Sequence, residues 1–165
     1  MTIDIPSFRQ TMALFPGAVT VITTGTGETR RGITATAVCS VTDSPPSLLV
    51  CVNNRTGTCM EIARSGRFSV QLLAQEHADL AMGFAGAGGR SGLDKFDLGD
   101  WQECTRGLPR LRGALASLSC EVLEDTEAGT HRIFIGRIED VAITPGEALV
   151  YAGARFHRLT EQAMA

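Results

Sequence analysis

The strongest constraint on this chain is a succession of β-branched apolar runs between Ala18 and Ile143, each cut by glycine, proline or small polar residues. AVTVITTG (18–25) and RRGITATAVCSV (30–41) flank the turn-rich Gly25-Thr26-Gly27-Glu28, which is a hairpin signal. Ser44-Pro45-Pro46 breaks the chain next, because proline removes a ladder donor and restricts the residue before it. SLLVCVN (47–53) is nearly all apolar, as a strand covered on both faces would be. RFSVQLL, residues 114–124, residues 131–143 after a Glu127-Ala128-Gly129 turn, and ALVYAG bring the count to six or seven strands.

Helical periodicity is confined to short pieces. Residues 7–15 place Phe8, Met12 and Phe15 at helical spacing before Pro16-Gly17 stops the pattern. Residues 57–65 read as a helix closed by Gly66, and residues 76–85 put Leu80, Ala81 and Phe84 on one face. Strands that do not alternate with full-length helices argue against a parallel α/β sheet, so the pattern predicts an all-β barrel. One domain is expected over 1–165, with a frayed tail over 159–165. Gly86 to Asp100 forms a glycine-rich loop whose length points to function rather than mere connection.

A net charge of −3 with scattered basic residues, of which only Lys95 is a lysine, excludes the clustered footprint of a nucleic-acid binder. No apolar run approaches the roughly 18–20 residues of a membrane span. The first residues lack a basic-then-apolar signal pattern, so a cytoplasmic protein that does not engage a membrane is expected. Cys39, Cys51, Cys59, Cys104 and Cys120 form no C-x-x-C pair and are expected reduced and mostly buried.

Several chemistries are missing. Gly86-Ala87-Gly88-Gly89-Arg90-Ser91-Gly92 follows a helical pattern and lacks the third glycine of a dinucleotide fingerprint. There is no phosphate loop of the G-x-x-x-x-G-K-S/T type and no G-x-S-x-G elbow. His77, His131 and His157 have no partners at metal-ligand spacing, so no metal site is expected.

Two polar clusters remain. In Thr34-Ala35-Thr36-Ala37-Val38-Cys39-Ser40, alternation puts Thr34, Thr36, Val38 and Ser40 on one face. Small residues there let a flat ring approach the backbone, although threonine also favours strands for its own sake. Asn53-Asn54-Arg55-Thr56-Gly57-Thr58 hands a strand over to a helix, where N–H groups, hydroxyls and a guanidinium suit a phosphate; ordinary capping by Thr56 or Thr58 explains the same residues. His131, Tyr151 and Trp101 read in isolation as a strand-end histidine and two packing aromatics.

In order along the chain, these pieces resemble the flavin reductase-like, FMN-binding split-barrel family. Phe8-Arg9 through Phe15-Pro16-Gly17-Ala18-Val19 is similar to its opening helix and strand, and Gly32 to Val41 with Pro45-Pro46 to its flavin signature. Gly66 to Val70, Leu80-Ala81 with Phe84, and Asp94-Lys95-Phe96 resemble the elements that follow. Gly129-Thr130-His131 resembles the family's Gly-Asp-His, with Thr130 where an acid is usual, and Leu149-Val150-Tyr151 resembles its closing strand.

The resemblance implies a mainly β, Greek-key split barrel with a few short helices. It also implies hydride transfer from NADH or NADPH to FMN or FAD, with the reduced flavin supplied to a separate monooxygenase, and a homodimer. On that basis Thr34, Ala35, Thr36 and Ala37 line the isoalloxazine. Ser40, Asn53, Asn54, Arg55, Thr56 and Thr58 hold the ribityl phosphate. Phe84, Lys95 and Phe96 lie near the flavin or pyrophosphate, Tyr151 joins the cofactor site, and His131 borders the nicotinamide. Two alternatives stay open on the same scaffold: a flavin- or haem-binding module without turnover, and a reductase of another acceptor such as a corrinoid.

Overall fold

The computed structural model describes residues 2–160. Besides short 3-10 turns, three α-helices and twelve strands follow in the order α1 (Ile5–Met12), β1 (Gly17–Ala18), β2 (Thr20–Thr24), β3 (Arg31–Ala35), β4 (Val38–Asp43), β5 (Pro46–Asn53), α2 (Gly57–Ser65) and β6 (Arg67–Leu72). Then come α3 (Ala78–Phe84), β7 (Trp101–Glu103), β8 (Pro109–Leu111), β9 (Ala116–Ala128), β10 (His131–Ile143), β11 (Val150–Ala152) and β12 (Arg155–His157). Among the described residues no helix is long and apolar enough to cross a membrane.

The fold is mainly β. Seven strands form one sheet in the order β3-β2-β6-β9-β10-β5-β4, with antiparallel neighbours throughout. Its two edges, β3 and β4, are consecutive in the chain and separated by Thr36-Ala37 alone. Three peptide steps reach no more than about 11 Å, so the sheet has to curl until its edges meet at that link. It does not close, because β3 and β4 are not paired. The split falls at the threonine–alanine cluster singled out in the sequence.

This break corrects the single long strand expected over residues 30–41. Thr34 lies on β3 beside β2, whereas Ser40 lies on β4 beside β5, so the two do not share one face of one strand. The β9–β10 turn is also tighter than expected: Glu127 and Ala128 belong to β9, and Gly129-Thr130 alone make the reversal. β1, β7, β8 and β12 have two or three residues each and carry no readable period. β1, β11 and β12 form a second sheet and β7–β8 a third. Of the tail expected to fray, residues 161–165 lie outside the described residues.

Two cores flank β2, every residue of which is buried. Inside the curl, Ile22, Val50, Val52, Phe68, Val70 and Phe134 pack with Ile62 from α2. On the other side, Val19, Val21 and Leu73 pack against Leu80, Ala81 and Phe84 of α3 and against Phe96. Each fully buried aliphatic or aromatic side chain contributes about 1.5–3 kcal/mol. The threonine hydroxyls of β2 are satisfied: Thr20 donates to Ala35 O at 2.6 Å, Thr23 to Pro109 O at 3.1 Å and Thr24 to Arg67 O at 2.7 Å. Buried Gln71 donates to Pro109 O at 3.1 Å and accepts from Leu111 N at 3.2 Å, tying the β7–β8 hairpin to the main sheet.

α2 runs from Gly57 to Ser65 as the sequence implies, capped by the Thr56 hydroxyl and ended by Gly66 at φ 68°. That left-handed turn favours glycine. α1 starts earlier than expected, at Ile5, because the Asp4 carboxylate accepts from Ser7 N at 2.7 Å with Pro6 in the first turn. It buries no residue, and Phe8, Met12 and Phe15 all face outward. The five cysteines are free; Cys39 is exposed, Cys59, Cys104 and Cys120 are buried, and burial pushes the Cys120 thiol up to about 12.

Candidate functional site

β3 is an edge strand, so one side of its backbone is free. Gly32 turns its carbonyl to that side, where Lys95 Nζ donates to it at 3.2 Å. The two-residue strand period directs the N–H and C=O of Thr34 the same way. The Thr34 hydroxyl is already engaged, donating to Ala81 O on α3 at 2.5 Å. What Thr34 offers a ligand is therefore its backbone, and its side chain locks the strand to the helix.

Two cavities open along this strand. The first, of about 250 Å³, is lined by Thr34, Ala35 and Thr36, by Ala81, Met82 and Ala85 of α3, and by Val19, Tyr151 and Phe156. Tyr151 and Phe156 meet edge to face with ring centroids 5.5 Å apart and form its outer wall. The lining is apolar and small where it meets β3, which suits a flat ring.

The second cavity, of about 230 Å³, is lined by Arg31, Gly32 and Ile33 of the same strand, by Thr56, Gly57 and Thr58 at the start of α2, and by Arg90, Ser91, Gly92 and Lys95. Among the described residues none of Arg31, Arg90 and Lys95 has a carboxylate partner, while Arg64, Arg106, Arg110, Arg112, Arg132 and Arg137 are all ion-paired. Arg31 donates to Glu28 O at 3.0 Å and to Arg30 O at 2.7 Å, and Arg90 donates to Asp94 O at 3.2 Å. Carbonyls thus fix both guanidiniums without neutralising them. Burial pushes the Lys95 ammonium below the ordinary lysine value. Three cations beside the N–H groups of a helix start have the chemistry that suits an anion.

The sequence-derived residues distribute as follows. Thr34, Ala35, Thr36 and Tyr151 line the apolar cavity, and Thr56, Thr58 and Lys95 the cationic one. Phe84 and Phe96 line neither: both are buried, packed edge to face with centroids 5.2 Å apart and against Trp101. Phe84 stands directly behind Gly32, where an added Cβ would lie 2.5 Å from its Cε1. It supports the strand from the back. Ala37 and Ser40 also line neither cavity; Ser40 is exposed on β4.

Asn53, Asn54 and Arg55 build the turn rather than the cavities. Asn53 Oδ1 accepts from Arg55 N at 2.9 Å and its carbonyl accepts from the Thr56 hydroxyl at 2.8 Å, while Thr56 also caps Cys59 N at 3.2 Å. Asn54 N donates to Thr130 O at 3.1 Å, joining this turn to the β9–β10 turn. His131 consequently sits opposite Asn53 across the β5–β10 ladder. Its Nδ1 is 2.9 Å from the Thr130 hydroxyl, which leaves Nε2 free to address a ligand. Arg31, Arg90, Met82, Ala85 and Phe156 were not singled out from the sequence; the glycine-rich loop was, and it delivers Arg90 to Gly92.

Residues 12–160 match the family model described as "Flavin reductase like domain". The reductase component of 4-hydroxyphenylacetate 3-monooxygenase from Pseudomonas aeruginosa is 44% identical over 154 residues, covering 93% of this chain and 91% of that protein. An FMN reductase (NADH), RutF 2, from Methylorubrum extorquens is 36% identical over 158 residues, with 95% and 91% covered. The solved structure of a Streptomyces globisporus C-1027 NADH:FAD oxidoreductase in complex with NAD and FAD fragments superposes with a TM-score of 0.88 at 31% identity, covering 99% of this chain and 100% of that one.

Proposed function

The chain belongs to the flavin reductase like domain family, and on that footing we propose that it is an NADH-dependent flavin reductase that reduces FMN or FAD and passes the product to a separate flavin-dependent monooxygenase. The observation that carries this reading is the pair of cavities on one edge strand, apolar at Thr34–Thr36 and cationic at Arg31–Gly32. The middles of the two lining stretches, Gly32 and Ala35, are three residues of extended strand apart, about 10 Å, which accommodates a ribityl chain between a ring and its phosphate.

Hydride transfer from nicotinamide C4 to flavin N5 is the chemistry that the two bound groups supply. The chain's own task is to hold, orient and dry them. Thr34 N–H at the free edge of β3 would donate to the polar rim of a bound ring. Ala35, Ala81 and Ala85 let the ring approach closely, while Tyr151 and Phe156 exclude water. Lys95, Arg31 and Arg90, which line the cavity at the start of α2, would hold the phosphate. His131, opposite Asn53 at the end of β10, would orient the nicotinamide for transfer.

The relatives named as NADH enzymes support NADH as donor, and the relative named as a reductase component supports a monooxygenase partner. The outward Phe8, Met12 and Phe15 support a homodimer that covers α1. A single domain working in the cytoplasm, where NADH is at hand, completes the reading.

Comparing FMN with riboflavin, which lacks the phosphate, tests the binding mode. Lys95→Gln is expected to weaken FMN about tenfold or more and to leave riboflavin unchanged. Equal losses for both ligands would remove Lys95 from the phosphate.

A further inference from the structure

We propose that Met82 is a site of oxidative modification: hydrogen peroxide formed at the flavin ring converts its thioether to the sulfoxide, and the sulfoxide weakens flavin binding. This rests on the flavin reading above and adds a control to the same site.

Met82 follows Ala81 on α3, and the Ala81 carbonyl accepts the Thr34 hydroxyl at 2.5 Å. That bond holds this turn of α3 against the edge of β3, where Met82 lines the apolar cavity. Its helix neighbours Leu80, Ala81, Gly83 and Phe84 are buried, whereas Met82 is 48% exposed. Its side chain therefore borders both the cavity and solvent. Among the described residues lining that cavity, Met82 carries the only sulfur.

The reaction itself supplies the oxidant. Dioxygen that meets the reduced flavin takes two electrons and two protons from it and becomes hydrogen peroxide. The Met82 sulfur then attacks one peroxide oxygen with a lone pair. The O–O bond breaks, an S–O bond forms, and the departing hydroxide takes the proton of the transferred oxygen and leaves as water. Sulfur is oxidised by two electrons to the sulfoxide, and peroxide is reduced by the same two.

The product changes the wall. A flexible apolar side chain becomes a polar, chiral one beside Ala81 and Ala85, where the lining is small and apolar. A flat ring loses its contact with α3, and the flavin leaves more readily. Peroxide forms when reduced flavin is made faster than it is consumed, so the modification slows the protein under that condition. Met60 on α2 provides an internal reference: at 61% it is more exposed than Met82, yet it does not line the apolar cavity. Peroxide arriving from bulk solution would reach Met60 first.

The experiment runs NADH and FMN turnover in air with catalase present, then measures sulfoxide at Met82 and Met60 by peptide mass spectrometry and the FMN dissociation constant before and after. Met82 sulfoxide is expected to accumulate with the number of turnovers, with Met60 at background and no oxidation in anaerobic turnover. The dissociation constant is expected to rise about fivefold and to return on treatment with methionine sulfoxide reductase and a thiol. Met82→Leu, compared with its own starting value, is expected to keep its affinity through the same turnovers. Oxidation of Met60 ahead of Met82, its suppression at Met82 by catalase, or sulfoxide without a change in affinity would each overturn this inference while NADH consumption leaves the flavin reading standing. No NADH consumption with FMN or FAD would overturn the flavin reading and this inference with it.

Discussion

Lys95 Nζ lies 3.2 Å from the carbonyl oxygen of Gly32 and, with its second hydrogen bond at 2.8 Å to Phe84 O, ties the edge strand to the end of α3. The one lysine of the chain therefore sets the geometry of the cationic cavity as well as its charge.

Burial holds the Lys95 pKa below its ordinary 10.5. Between the lowered and the ordinary value the unfolded chain keeps a proton that the folded chain has released, so the ligand-free protein gains stability as pH rises through that window. Phosphate binding needs the ammonium and moves the other way. FMN affinity is expected to be full below the lowered pKa and to fall as pH rises through it. Lys95→Arg, which stays charged, should abolish that alkaline loss; a titration in which both proteins lose affinity alike would contradict the assignment.

Gly32→Ala pushes a methyl group to 2.5 Å from the Phe84 ring. Phe84 is fully buried among Phe96 and Trp101 and cannot yield freely. A loss of about 1–3 kcal/mol is expected, read by denaturant unfolding. FMN affinity should fall with it, because the same displacement moves the Lys95 acceptor.

How far the sequence disclosed this arrangement depends on the length of each signal. α2, with its threonine cap and Gly66, and α3, with Leu80, Ala81 and Phe84 inward, were legible because capping chemistry and a 3.6-residue period are local. The break at Thr36-Ala37 was not, since alternation runs unbroken through it and only the choice of partner strand, β2 or β5, reveals it. Phe84 and Phe96 carried the family pattern yet serve as backing for the site. Arg31 and Arg90 were invisible for the opposite reason: a lone arginine has no motif, and the fold alone brings the two together.

His131→Ala tests the nicotinamide side. NADH KM is expected to rise, or reduction to slow, about two- to tenfold, the worth of one hydrogen bond. FMN affinity should stay close to wild type, because His131 lines neither cavity on β3. A collapse of flavin binding would place His131 on the flavin instead.

The exposed face of α1 calls for cover. Sedimentation is expected to give a dimer for the wild-type chain, and Phe8→Glu, at a position 52% exposed in the single chain, to shift it toward monomer without unfolding it. A wild-type monomer at micromolar concentration would refute that interface.

The most direct test of the account is anaerobic mixing of the purified protein with NADH and a large excess of FMN or FAD, followed through the bleaching of the flavin. Catalytic bleaching at a rate proportional to protein, many flavins per chain, is the expected result. Flavin that binds but bleaches no faster than in free solution would contradict it, and would make the edge of β3 a holding site rather than a place of hydride transfer.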